Sequence, residues 1–150
     1  MMFKPLSLSM AALLMAAGAI VTPALAEKPA APQEAAQPAK DHQPIVAVVK
    51  ADWCPACKKI SPTVMGVMKD YMSKAQWVML DVTNKQTTAE AEKKVKELGL
   101  EKFYAEYGSR TSTVAIIDPQ TKKVLSVFMA EGRKEKYVAA LNKALAAHKE

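Results

Sequence analysis

Cysteine, histidine, glycine and aromatic residues are all scarce in this chain. Of its 150 residues two are Cys, two are His and five are Gly, and 6% are aromatic. A zinc ion closed by protein needs about four ligands, and beyond the two cysteines this chain has only two histidines, both poorly placed, so zinc is not expected. The scarcity of glycine excludes a collagen-like chain, and the hydrophobic half of the composition excludes a wholly disordered one. Charge is not concentrated either. The net charge is +6, but its carriers are spread over Lys93, Lys94 and Lys96, Lys122 and Lys123, and Arg133, Lys134 and Lys136, among acids or beside turns. A nucleic-acid surface would gather them with aromatics on one face, so they read as solvated helix faces and turns. What remains is the composition of one compact domain, long enough to bury a single core and too short for two.

Residues 1–26 read as an export signal rather than as structure. Lys4 supplies a positive charge, an apolar run extends from Leu6 to Val21, and Ala24-Leu25-Ala26 places small residues where a signal peptidase cuts. The expected mature chain begins at Glu27 and is released into the periplasm, an oxidising compartment. No cysteine near the cut offers a lipid attachment point. The apolar run is short for a membrane span, and an uncleaved anchor is the competing reading. From Glu27 to Gln43 three prolines, many alanines and no β-branched or aromatic residue predict a flexible tether. His42 within it and His148 near the end read as solvated residues rather than ligands.

The domain proper is expected over residues 44–150. Ile45 to Ala51 is an almost unbroken apolar run and predicts a strand covered on both faces, in the middle of a largely parallel sheet. Trp53-Cys54-Pro55-Ala56-Cys57 follows, then a helical pattern at Ile60, Val64, Val67, Met68, Tyr71 and Met72. A strand from Trp77 to Val82 comes next, and a helix opens at Thr87 or Thr88, with Glu90 completing its cap, and ends at Gly99. A short helix spans Leu100 to Tyr107. Thr113–Ile117 and Lys123–Met129 flank the turn sequence Asp118-Pro119-Gln120-Thr121 as an antiparallel hairpin. After Gly132 a last helix presents Tyr137, Val138, Leu141 and Leu145. The fold class is therefore α/β: a small mixed four-stranded sheet with helices on both faces.

Both cysteines lie in one C-x-x-C. As a structural staple such a short loop restrains the unfolded chain very little. As a redox pair it is well placed: Cys54 starts a helix, where free N–H groups and the dipole favour a thiolate. Cys54 is then the attacking sulfur, and Cys57, one turn further in and less exposed, the resolving one. Copper(I) is the competing ligand, since two thiolates suffice in some sites and thioethers help. Met65, Met68 and Met72 recur at helical spacing, but such methionines are usually core filling, and Met68 and Met72 fall on the face expected to be buried.

The run Ala-Asp-Trp-Cys-Pro-Ala-Cys-Lys-Lys-Ile-Ser-Pro, residues 51–62, resembles the active-site segment of the thioredoxin superfamily, with a tryptophan before the first cysteine, a lysine after the second and a helix proline beyond. The similarity extends from Pro44 to Leu145 and includes Leu80-Asp81-Val82-Thr83, the hairpin and Gly132. It implies a thioredoxin-like fold and a protein thiol-disulfide oxidoreductase. Catalysis would rest on Cys54 and Cys57, and Trp53, Pro55, Thr111 and Ser112 would face the partner. Trp53 is expected to serve both packing and rim. No bound organic cofactor and no metal are implied, and the partners are protein thiols and disulfides with an upstream redox protein.

Three departures from that pattern carry consequences. The family's cis-proline position falls in Arg110-Thr111-Ser112-Thr113, where Ser112 replaces it, so the substrate-facing loop is expected to be altered. In the family that proline also discourages metal binding. The family's buried aspartate and lysine fall on Val48 and Met79, both apolar, so proton transfer at Cys57 must use water or another group, with Lys50 and Asp52 as the nearest candidates. Proline as the first residue between the cysteines resembles glutaredoxins and the periplasmic oxidases, and Ala56 offers the Cys54 thiolate no side-chain hydrogen bond. Besides copper(I) handling, a non-catalytic interaction module is the third function class.

Overall fold

The computed structural model describes residues 42–147. The signal, most of the tether and His148 lie outside them. The described chain runs β1 (Ile45–Lys50), α1 (Pro55–Tyr71), β2 (Gln76–Asp81), α2 (Lys85–Leu98), α3 (Glu101–Tyr107), β3 (Thr113–Ile117), β4 (Val124–Met129) and α4 (Lys134–Ala147). The strands form one sheet in the order β2-β1-β3-β4. β1 is parallel to β2 and antiparallel to β3, and β3 is antiparallel to β4. Among the described residues no helix is long and apolar enough to cross a membrane.

The apolar run of β1 was expected in a largely parallel sheet, and this is corrected: only one of its two ladders is parallel. Two-sided burial requires helices on both faces of the sheet, and it places no demand on strand direction. Successive side chains of a strand alternate between faces. Val46 and Val48 therefore join Ile60, Val64, Val67 and Tyr71 of α1 and Leu141 of α4, while Ile45, Ala47 and Val49 join Ala91 and Val95 of α2 and Phe103 of α3. Each fully buried Val, Ile or Leu contributes about 1.5–3 kcal/mol relative to exposure. These two layers fix β1, and β1 delivers the cysteine turn at its C-terminal end.

Helix boundaries follow the caps. α2 begins at Lys85, ahead of the expected Thr87 or Thr88, because Asn84 caps it: its side chain accepts from the N–H groups of Gln86 and Thr87, and the Thr87 hydroxyl accepts in return from the Asn84 N–H. Asparagine is as strong an N-cap as serine or aspartate. Gly99 ends the helix in the left-handed region at φ 68°. α3 ends at Gly108, where a Cβ would lie 2.5 Å from the Tyr104 carbonyl oxygen, so the close return of the chain admits no side chain. Met72, expected on the buried face of α1, is 60% exposed. The helix ends at Tyr71, and Met72 falls at the cap, off the apolar stripe.

Candidate redox site

Cys54 is the N-cap of α1 and Pro55 follows at the helix start, where its missing N–H costs nothing. The Cys54 Sγ accepts from the backbone N–H of Cys57 at 3.1 Å. Burial works against the Cys54 thiolate, but hydrogen bonds from the Cys57 thiol, the Thr111 hydroxyl and the N–H groups of Cys57 and Ala56 outweigh it and lower the pKa below the ordinary thiol value. At Cys57 burial and the hydrogen bond to Cys54 raise the pKa, and backbone groups of Ala51 and Ser112 oppose them without prevailing. The two sulfurs are displaced in opposite directions, one toward thiolate and one toward thiol.

One expectation is corrected. Cys54 is only 4% exposed, whereas Cys57 is partly exposed. The cap position folds the first sulfur back onto the Cys57 N–H of its own helix, while Cys57 opens onto a cleft.

The turn before Cys54 is tied down by β2. Lys50 and Asp81 are cross-strand partners and their side chains are paired, with Asp52 3.4 Å from the same ammonium. Asp81 also accepts from the Thr83 N–H at 2.9 Å and the Thr83 hydroxyl at 2.5 Å. Thr83 Oγ1 in turn accepts from the Asp52 N–H at 3.0 Å, and the Thr83 carbonyl from the Trp53 indole at 3.1 Å. Burial opposes the Asp81 carboxylate, but these bonds from Lys50 and Thr83 hold its pKa down to about 2. Trp53 is 62% exposed, so it belongs to the rim, and its packing contribution is small.

On the other side stands the loop before β3. Ser112 is 7% exposed and adopts φ 63°, a left-handed conformation uncommon outside glycine. Its N–H donates to the Val49 carbonyl at 2.9 Å, and its carbonyl accepts from Ala130 at 3.0 Å. Proline has neither the N–H nor access to this φ. The loop is therefore built on a backbone conformation that serine permits and proline forbids. Thr111 reaches Cys54 and Ser112 lines the cleft with Cys57, so the structure brings Cys54, Cys57, Thr111 and Ser112 together, with Pro55 exposed at the start of α1 between the two cysteines in the chain.

Val48 and Met79 are cross-strand partners in the β1–β2 ladder and line the same cleft as Cys57. With Ile60, Val64 and Met65 they line an apolar cleft of about 430 Å3 whose polar groups include Lys50, Asp52, Lys58 and Ser61. Sequence reasoning missed the part played by Asp81 and Thr83. The Leu80–Thr83 run was read as the close of a strand and as a point of resemblance, although an aspartate ending a strand opposite a lysine was a usable signal. Among the described residues no group of three or more His, Cys, Asp or Glu side chains is placed to hold a metal. Of the methionines at helical spacing, Met65 lines the cleft with Cys57 but is 48% exposed, and Met72 stands at the far end of α1.

A pair of cysteines at a helix start, presented by the central strand of a four-stranded mixed sheet, defines a thioredoxin-like protein. The thioredoxin family profile matches residues 32–131, and the chain belongs to that family. No curated protein matches it significantly. Among solved structures it is similar to a thiol:disulfide interchange protein of the thioredoxin family from Chlorobium tepidum, at 20% identity over 70% of this chain and 81% of that one, with a TM-score of 0.50. A thioredoxin from Fasciola hepatica is 21% identical, over 72% of this chain and 83% of its own, with a TM-score of 0.47. A DsbF homologue from Corynebacterium diphtheriae is 19% identical, over 68% and 72%, with a TM-score of 0.48. Family and cysteine pair together support thiol-disulfide chemistry in general terms.

Proposed function

We propose that the protein is an exported thiol-disulfide oxidoreductase that exchanges disulfides with partner proteins in the periplasm. The observation that carries this reading is the Cys54 Sγ held at 3.1 Å from the Cys57 N–H, with the two thiols displaced in opposite directions. The Cys54 thiolate attacks one sulfur of a partner disulfide and expels the other as a thiolate. A mixed disulfide between Cys54 and the partner results. Cys57 then loses its proton to water in the adjoining cleft and attacks the Cys54 sulfur. The second partner thiolate leaves, the Cys54–Cys57 disulfide closes, and two electrons have passed to the partner. The same steps in reverse oxidise a partner dithiol.

Export is supported by the sequence of residues 1–26 alone, and the upstream redox partner is a further protein thiol or disulfide by the same chemistry. In an exchange assay with a disulfide-bonded substrate, Cys54→Ala is expected to abolish turnover. Cys57→Ala is expected to accumulate a mixed disulfide visible on a non-reducing gel. A Cys54→Ala chain with full activity would overturn the reading.

A further inference from the structure

Cys57 has to become a thiolate to complete an exchange. In the mixed disulfide Cys54 carries no charge, so its hold on the Cys57 proton is gone, but burial, the larger cause of the raised Cys57 pKa, remains. A fixed positive charge beside the thiol would offset that burial. Alternate residues of a strand share a face, so Lys50 stands on the same face of β1 as Val48, one step nearer its end, and both line the cleft with Cys57. Ala51, the next residue, gives Cys57 a backbone hydrogen bond. Among the described residues the charged side chains lining the cleft are Lys50, Asp52 and Lys58, while β2 contributes Met79 and the loop before β3 Ser112, both uncharged. The three charges are not equivalent. Asp52 is 76% exposed and Lys58 is exposed, so water and salt screen them. The Lys50 side chain is only 35% exposed, and its ammonium is held by Asp81 across the ladder and by Asp52 at 3.4 Å. The hydrogen bond to Asp81 outweighs burial and raises the Lys50 pKa above the ordinary lysine value, so the ammonium persists where thiols titrate.

We propose that the Lys50 ammonium favours the Cys57 thiolate in the resolving step, and that Asp81 and Asp52 set how strongly it does so. The proposal rests on the exchange reading and adds a residue to its second step. The Cys57 proton passes to water and Lys50 keeps its own. The Cys57 sulfur bonds to the Cys54 sulfur, the bond from Cys54 to the partner breaks, and the partner leaves as a thiolate.

The test mixes the whole reduced protein with an excess of a neutral aromatic disulfide. Attack by Cys54 releases one coloured thiol, and resolution by Cys57 releases a second in a phase independent of disulfide concentration. Lys50→Met is expected to slow the second phase about tenfold near neutral pH and to move its pH profile up by about one unit. Variant and parent then converge at high pH, where Cys57 is ionised in both. Lys50→Arg, which keeps the charge, should stay near the parent. Asp81→Asn and Asp52→Asn remove charges that oppose Lys50 and should speed the second phase. A network that only held the turn would instead slow resolution when cut from either end. In a Cys54→Ala chain Cys57 is the sole cysteine, and its thiolate absorbance should titrate at higher pH once Lys50→Met is added. A second phase untouched by Lys50→Met, slowed by one factor at every pH, or slowed alike by Lys50→Met and Asp81→Asn would overturn the proposal while leaving exchange intact. A chain that releases no thiol loses the oxidoreductase reading and this proposal together.

Discussion

Two loops meet at Cys54 and they are held by different means. The turn Ala51–Trp53 is held by side chains: Asp81 joins Lys50 to Thr83, and Thr83 takes the Asp52 N–H and the Trp53 indole. The loop Arg110–Ser112 is held by its backbone, with Ser112 bonded to β1 on one side and to Ala130 on the other. A side-chain network has several members and loses strength by degrees. A backbone clamp accepts only a residue that has an N–H and tolerates positive φ, so it fails outright or not at all.

The largest expected effect comes from forcing the clamp. Ser112→Pro removes the donor to Val49 and demands φ near −65° where the chain holds 63°. A loss of about 3 kcal/mol or more is expected from urea midpoints. A variant as stable as the parent would show that the two loops do not differ as described.

Cutting the network should cost less. Asp81→Asn is expected to lose about 1 kcal/mol, allowing for a Lys50 partner that is 35% exposed. The folded pKa of Asp81, about 2, lies below the usual aspartate value near about 3.9. Its contribution is thus fully present above about pH 4 and is lost as the pH falls toward 2. The parent and Asp81→Asn should converge in stability over that acid window, and parallel pH profiles would remove Asp81 from the account.

Thr111→Val leaves both loops in place and removes one donor to Cys54. The Cys54 pKa should rise toward the ordinary thiol range, read from thiolate ultraviolet absorbance against pH, with slower alkylation at neutral pH. Stability should stay within about 0.5 kcal/mol of the parent. A small effect is also expected for Ser112→Gly. Relief of the left-handed conformation, about 1–2 kcal/mol, is largely offset by the extra freedom glycine gives the unfolded chain, about 0.5–1 kcal/mol. A net change below about 1 kcal/mol, of stabilising sign, is the outcome to look for.

The fold was legible because its signals were local. The apolar run of β1, the helical spacing of Ile60, Val64, Val67 and Tyr71, and the turn after Ile117 each announce their element within a few residues. The cysteine pair was legible for the same reason, since C-x-x-C after a strand contains its own geometry. What the sequence hid depends on residues far apart along the chain. Whether β1 pairs parallel or antiparallel is decided by β2 and β3, not by β1. The network from Lys50 to Asp81 and Thr83 spans about thirty residues, and the left-handed turn at Ser112 is set by two strands that the residue itself does not encode. The reversal of exposure at the cysteines was equally hidden, because it depends on the cap position of Cys54, whose sulfur accepts from the Cys57 N–H, and on the cleft that opens beside Cys57.

The hydrogen bonds converging on the Cys54 sulfur have a thermodynamic consequence for the pair. They favour a thiolate, and a thiolate exists only when the pair is reduced. In a cycle linking folding to reduction, whatever they add to the stability of the reduced fold must reappear as a more positive potential of the folded disulfide, at about 30 mV for each 1.4 kcal/mol. This contribution alone shifts the folded pair toward a stronger oxidant than the same four residues in an unfolded chain. The difference between the melting temperatures of the reduced and oxidised protein therefore carries this contribution, and it should grow as the pH rises through the Cys54 pKa, so that two calorimetric scans follow through heat alone a quantity otherwise read with an electrode.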